Sequence, residues 1–246
     1  MQLGTFSAVA CLCLLVLAGC GEPAPAPSTS ATSAVPAAVP AAVTPGGTAV
    51  DAEAPSLTLR ADAAMQAGQR QEALELYERA LQQNPEDEEA HFNAAFLSGQ
   101  LGRTNEAMAH YRECIRILPE YAEAHNNLGN LLRKAGRAEE AIRHLETSLQ
   151  HSPTNSSAHN NLGTALALQG RVSEAVPHFV RAVELKPDYA EAWLNLGNAY
   201  LQTGRTEESL RPLQNALTLN PALEPARRAL GRARERLSNA PRPVKQ

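Results

Sequence analysis

The chain repeats itself every 34 residues, and the register never slips. Glycines fall at Gly68, Gly102, Gly136, Gly170 and Gly204, and prolines at Pro85, Pro119, Pro153, Pro187 and Pro221. Between them stand Ala73, Ala107, Ala141 and Ala175, with Ser209 in the fifth copy, followed by Tyr77, Tyr111, Leu145, Phe179 and Leu213. A fixed period of about 20–50 residues marks an array of stacked units, and this one suits a helix–turn–helix unit. Two short amphipathic helices cannot bury their apolar faces alone, so neighbouring units must stack.

The residues Ala190-Glu191-Ala192-Trp193-Leu194-Asn195-Leu196-Gly197-Asn198-Ala199-Tyr200 carry a clear family likeness. The pattern resembles the tetratricopeptide repeat from Ala54 to Leu223, with a helical tail to about Leu237. The resemblance implies an all-α protein, a right-handed α-solenoid of about five repeats with a capping helix over 224–237 and a disordered tail over 238–246. Each fixed residue has a separate job. The glycine after the first helix can take positive φ and end it sharply. The proline stops the second helix and pushes the residue before it into an extended conformation. Gly129, Gly163 and Gly197 leave room where the two helices of a unit must approach closely. The first copy is the poorest match, with Arg60 and Ala61 where later copies read Leu-Gly, as terminal repeats often are. Pro177 and Pro212 fall inside second helices, where a proline removes a hydrogen bond, so kinks are expected. The tail carries Arg227, Arg228, Arg232, Arg234 and Arg236 and reads as a cap with a polar outer face, or alternatively as a basic docking site.

Composition narrows the function. The 246 residues could hold one or two domains, but a solenoid has no single compact core. Aromatic residues make up 4% of the chain, which suits helices packed through Ala and Leu. A net charge of −4 argues against a general nucleic-acid binder, which carries a basic footprint. Of the four cysteines, only Cys114 lies in the repeats, so no disulfide framework or thiolate metal site can form there. Cys114 takes the place of Ala80, Ser148, Ala182 and Ala216 in the other copies and reads as buried packing.

The first nineteen residues read as an address. Phe6 to Ala18 is a mostly apolar run with no charge before Glu22, too short for a comfortable span of about 20 residues. It has the length of a secretory signal's apolar region, although Met1 to Ser7 lacks Lys and Arg. Leu17-Ala18-Gly19-Cys20 resembles a bacterial lipobox, which implies cleavage before Cys20 and acylation of its thiol. The other reading is an uncleaved apolar anchor. Acyl chains on one residue would satisfy the two-signal rule for stable anchoring. Gly21 is not an acidic retention signal, so the resemblance favours the periplasmic face of the outer membrane. Residues 20–53 then form a tether rich in Pro, Ala, Ser, Thr and Val; seven of the chain's 17 prolines lie between Pro23 and Pro55. At ~3.1 Å per residue such a segment reaches at most about 90–100 Å. It is an inert spacer or, alternatively, a proline-motif ligand.

Ladders of two residue types, histidine and asparagine, bear on chemistry. Histidines recur as His91, His125, His159 and as His110, His144, His178. Zinc needs ligand nitrogens within about 2.1 Å, whereas equivalent helices in successive repeats stand at least roughly 8–10 Å apart. One ladder cannot converge on one ion, so no metal is expected. Trp193 replaces the first ladder in the fifth copy, which marks that place as packing. No phosphate-binding loop, nucleophile elbow or zinc helix motif is present, so no cofactor and no catalysis are expected.

The second ladder is Asn93, Asn127, Asn161 and Asn195, enriched by Asn126, Asn160, Asn130 and Asn198. A primary amide both donates and accepts, so it can satisfy a peptide backbone with little regard for side-chain sequence. The run resembles the asparagine ladder in the repeats of O-linked N-acetylglucosamine transferases, where the first-helix face lines the concave groove; that enzyme's catalytic domain is not expected here. It departs from chaperone-tail clamps of the family, which use Lys and Arg at these places. The resemblance implies peptide binding through Asn93, Asn127, Asn130, Asn161, Asn195 and Asn198, the alternative being amides that bond between helices. The expected function is therefore a non-catalytic envelope adaptor that holds extended segments of partner proteins. By resemblance to envelope lipoproteins with such repeats, pilus or secretin assembly and cell-wall enzyme scaffolding are candidate settings. The alternatives are a substrate-recognition subunit of an envelope enzyme complex and a purely structural spacer.

Overall fold

The computed structural model describes residues 56–239. Its described residues form α1 (Leu57–Gln66), α2 (Arg70–Gln83), α3 (Glu88–Gln100), α4 (Thr104–Ile117), α5 (Ala122–Lys134), α6 (Ala138–His151), α7 (Ser156–Leu168), α8 (Val172–Leu185), α9 (Ala190–Gln202), α10 (Thr206–Leu219) and α11 (Glu224–Ser238). They fall into two compact units, α1–α6 and α7–α11. In the first unit α1 packs on α2, α3 on α4 and α5 on α6, and each pair packs on the next. In the second, α7 packs on α8, α9 on α10, and α11 covers α9 and α10. The all-α array of helix pairs expected from the repeat is thus present in each unit.

The punctuation works as the sequence implies. Gly68, Gly102, Gly136, Gly170 and Gly204 all have φ between 75° and 77°. At the end of α5 the amide of Gly136 donates to Arg133 O and that of Arg137 to Leu132 O, which closes a Schellman motif. The second helices stop at Asn84, Leu118, Ser152, Lys186 and Asn220, each extended in backbone and each followed by the repeat proline. The short turns bring the two helices of a repeat back alongside one another. A Cβ added at Gly129 would lie 2.6 Å from Leu145 Cγ, one at Gly163 2.8 Å from Phe179 Cε1, and one at Gly197 2.5 Å from Leu213 Cγ. Ala107, Ala141 and Ala175 are fully buried on the facing helices.

Three local features refine the reading. Helices α8 and α10 run unbroken through Pro177 and Pro212 and keep the 14-residue span of the other second helices. The carbonyls deprived of a donor belong to Ser173 and Glu208, both residues with solvent access, which softens the cost. Helix α1 has 10 residues where the other first helices have 13, and its Leu59 is 58% exposed, so the divergent first repeat leaves an apolar side chain unpartnered. Cys114 is fully buried as expected, and burial pushes its thiol up to about 12.

Helix α11 buries Ala226, Ala229, Leu230 and Ala233 against Leu194, Leu201, Leu213 and Ala216. Its arginines lie on the exposed side. Two of them also serve the last repeat: Arg236 donates to Leu201 O at 2.9 Å and Arg227 to Pro221 O at 2.6 Å.

The close approach makes a paired prediction. Gly163→Leu overpacks the α7–α8 contact and should cost roughly 1–3 kcal/mol. Gly231→Ala adds a methyl in α11 that meets nothing within 4 Å, and should gain up to about 1 kcal/mol. Urea midpoints of the two variants should move in opposite directions.

Candidate functional site: the first-helix face

The ladder asparagines occupy one register position of α3, α5, α7 and α9. Asn93, Asn127, Asn161 and Asn195 are between 1% and 4% exposed, Asn130 2% and Asn198 6%. They are therefore inside the packing rather than spread on its surface, and the chain already uses them. In the first unit the Asn127 amide donates to Tyr111 Oη at 3.1 Å and accepts from Asn126 at 3.1 Å. Asn93 stands at the equivalent place beside Tyr77, 16 residues after it. Arg133 donates to Asn130 Oδ1 at 2.8 Å.

In the second unit the pattern changes, because Phe179 stands where Tyr77 and Tyr111 supplied a hydroxyl. Asn195 donates instead to Asn160 Oδ1 at 3.0 Å, and Asn160 donates to Tyr189 Oη at 3.3 Å. Two amide oxygens, Asn93 Oδ1 and Asn195 Oδ1, are buried and accept no hydrogen bond. Sequence reasoning does not single out the partners Tyr77, Tyr111 and Asn160 as one system. The signal is nonetheless present: Tyr77 and Tyr111 each precede a ladder asparagine by 16 residues.

Beside the buried amides of the first unit lies a small concavity of about 70 Å³ that opens to solvent. Phe96, Tyr111, Asn127, Asn130 and Lys134 line it. Phe96 is half-buried and Lys134 exposed, so the opening offers an aromatic face, a cation and the edge of the amide ladder. Phe92 supports its wall, stacked on Tyr121 at 4.9 Å and edge-on to Tyr111 at 5.6 Å.

The histidine ladders meet each other rung by rung across each helix pair. His91 Nδ1 lies 3.1 Å from His110 Nδ1, His125 Nδ1 3.0 Å from His144 Nδ1, and His159 Nδ1 3.2 Å from His178 Nδ1. His125 Nε2 donates to Pro119 O at 3.0 Å and His91 Nε2 to Pro85 O at 3.1 Å. Those bonds leave Nδ1 of His91 and His125 as acceptors, so His110 and His144 must supply the shared proton from Nδ1. Trp193 Nε1 donates to Pro187 O at 2.8 Å and does the same anchoring work in the fifth repeat. Among the described residues, no group of three or more His, Cys, Asp or Glu side chains is placed to hold a metal ion.

The comparisons with known proteins follow this geometry. Tetratricopeptide repeat family models match residues 120–188 and 154–222, a TPR repeat model matches 99–136, and a further tetratricopeptide repeat model matches 64–109. Together they span 64–222, well over half of the chain. The chain belongs to the tetratricopeptide repeat family. Such repeats support protein–protein interaction and peptide binding. Among solved structures, the MamA protein is 20% identical with a TM-score of 0.61, covering 67% of this chain and 90% of its own. YrrB, described as a TPR protein with an unusual peptide-binding site, is 23% identical with a TM-score of 0.62, covering 70% and 89%. The thermophilic TPR protein TTC0263 of Thermus thermophilus is 26% identical with a TM-score of 0.54, covering 73% and 97%. None of the curated proteins matches the chain. Cys20, the leader and the tether lie outside the described residues, and among those described no helix is long and apolar enough to cross a membrane.

The histidine pairs give this tetratricopeptide array a pH dependence. Burial, then the neighbouring His125 and the arginines Arg112 and Arg143, hold His144 at about 4, below its usual 6.5. Burial also lowers His125, and burial with the partner ring lowers His110 and His178. The unfolded chain then takes up protons first as pH falls. The stability carried by these rings is complete above about 6.5 and drains away as pH falls towards 4. Urea midpoints at pH 7.5 and 4.5 should differ more for the wild type than for a His125→Gln/His144→Gln double variant.

Proposed function

We propose that this protein is a non-catalytic adaptor, lipid-tethered in a bacterial envelope, which holds extended segments of partner proteins along its first-helix face. The observation that carries the binding reading is the concavity between α3 and α5, with Phe96 and Lys134 set over Asn127 and Asn130. A main-chain segment laid there meets an aromatic surface and amides that both donate and accept. The peptide-binding site described for YrrB, on a similar repeat fold, supports the same use here. Scaffolds of this repeat are generally non-catalytic adaptors, which supports the reading that any chemistry belongs to a partner.

A photo-crosslinking residue at Lys134 should capture a partner in cells, while one at the exposed Glu146 of α6 should not. Asn127→Ala with Asn161→Ala should then weaken that capture. Each amide–backbone bond is worth about 0.5–1.5 kcal/mol net where no internal bond is given up, so about 3 kcal/mol, or about 150-fold, is the upper bound on the loss, and the exchange of the Tyr111 bond lowers it. Because Asn127 also holds Tyr111, helicity and the urea midpoint are measured alongside. Full capture by a folded double variant would return the amides to a purely structural role.

The tether rests on Leu17-Ala18-Gly19-Cys20 at the end of the apolar run. In this reading Cys20 carries the lipid, and residues beyond it hold the repeats off the periplasmic face of the outer membrane, where pilus or secretin assembly and cell-wall enzymes are the candidate clients. Cys20→Ser should shift the protein out of the membrane fraction or leave an uncleaved precursor, read by fractionation and intact mass. Mature protein of unchanged mass in the membrane fraction would remove the lipid from the proposal.

A further inference from the structure

One histidine ladder cannot hold an ion, because successive repeats keep its members apart. The fold removes that obstacle by joining the two ladders. His91 and His110 bring their Nδ1 atoms within 3.1 Å, His125 and His144 within 3.0 Å, and His159 and His178 within 3.2 Å. Each pair bridges the two helices of one repeat: α3 with α4, α5 with α6, α7 with α8. In the first two pairs one ring is already set for ligation. His91 Nε2 donates to Pro85 O and His125 Nε2 to Pro119 O, which leaves each Nδ1 with a bare lone pair facing its partner ring. A backbone carbonyl on the far nitrogen is the usual support of a metal-bound histidine. Burial, more than any other cause, lowers His110, His125 and His178 and holds His144 at about 4, so these rings are neutral near pH 7 and protons compete weakly for them. The second-helix partners His110, His144 and His178 are partly exposed.

The spacing selects the ion. Imidazole nitrogens bind a divalent ion at about 2.0–2.1 Å, and two such bonds meeting at about 90–100° set the nitrogens about 2.8–3.2 Å apart. A tetrahedral angle needs about 3.3–3.4 Å, more than any of the pairs offers. Near-right angles between nitrogen ligands are the preference of copper(II), which also heads the affinity order of the divalent first-row ions. The same spacing serves the N–H···N bond of the resting pair, so a small swing of the two rings lets an ion take the place of the shared proton. That proton moves to Nε2 of the same ring by exchange with water, and the imidazole stays neutral. Water fills the remaining positions, since among the described residues no third His, Cys, Asp or Glu joins a pair.

We propose that the three histidine pairs are copper(II) sites, each taking one ion between the helices of its repeat. The ion ties the first helix of a repeat to the second, so copper stiffens the array from within. The pairs differ in their surroundings. The carboxylates of Glu106 and Glu113 act on His110, whereas the guanidinium groups of Arg112 and Arg143 act on His144. The first pair is therefore the tightest site and the second the weakest.

The test titrates the full chain with copper(II) chloride at pH 7.5, counting bound ions by equilibrium dialysis and reading their ligands by electron paramagnetic resonance. The wild type should hold about three more ions than a His110→Gln/His144→Gln/His178→Gln variant, one for each pair. The cysteines and His151 are common to both proteins, so the difference counts the pairs alone. The resonance of the extra ions should show coupling to two nitrogens each. Each single variant should lose one ion, the tightest with His110→Gln and the weakest with His144→Gln. Far-UV circular dichroism checks the fold, and if the triple variant has lost helicity the single variants and the wild-type nitrogen coupling decide. Equal copper binding by wild type and folded variants, which is adventitious surface binding only, overturns the proposal. So does wild-type copper without coupling to two nitrogens.

Discussion

The approach of the two helices within a repeat governs everything else in the array. At Gly129, Gly163 and Gly197 the facing side chain sits where a Cβ would be, within 2.5–2.8 Å. That contact sets the interhelical distance at one end, and the turn glycine with its positive φ sets it at the other. The first two repeats meet the same demand differently. They carry Ala61 and Ala95 at the glycine place, and Tyr77 and Tyr111 where the later copies have Leu145, Phe179 and Leu213. Exchanging these residues singly would disturb packing, because interiors at organic-crystal density feel even one methylene.

Close helices force polar groups to find partners inside the array. A tyrosine in the second helix brings its hydroxyl into the packing, where an unpaired oxygen would cost roughly 1–3 kcal/mol. At Tyr111 the ladder asparagine of the next repeat, Asn127, meets it. Where phenylalanine replaces tyrosine, Asn195 turns to Asn160. The histidine pairs obey the same rule, each sharing one proton across a helix pair. The repeat therefore changes which residues supply the partner, and still leaves the amide oxygens of Asn93 and Asn195 without one.

Much of this is legible in the sequence, because the period, the turn glycines and the helix-ending prolines are local instructions that neighbouring repeats repeat. Cys114 and α11 are legible for the same reason. Helices α8 and α10 are legible only in part: each proline implies a local disturbance, and both helices keep the full 14-residue span around it, the orphaned carbonyls belonging to residues with solvent access. The histidines read as two separate ladders, neither able to converge on an ion by itself. Their pairing depends on the antiparallel return of the chain, which joins positions 19 residues apart. The asparagines are legible as a ladder, but their burial is not, since it depends on the tyrosines and asparagines of the adjoining repeat.

That burial changes how a bound segment would gain its affinity. An amide that already donates to Tyr111 or Asn160 has to exchange one hydrogen bond for another when a peptide arrives. Such exchanges are close to neutral, because the bond lost offsets the bond formed. The ladder can fix the register and direction of a main chain at little energetic gain. Affinity then has to come from groups whose interactions are not yet complete: the half-buried ring of Phe96 and the ammonium of Lys134. Both lie in the first unit. A face that holds backbone through neutral amides and chooses partners through a few rim residues is selective for the composition of a segment at few positions and tolerant elsewhere. That division is what an adaptor serving extended segments of several proteins requires.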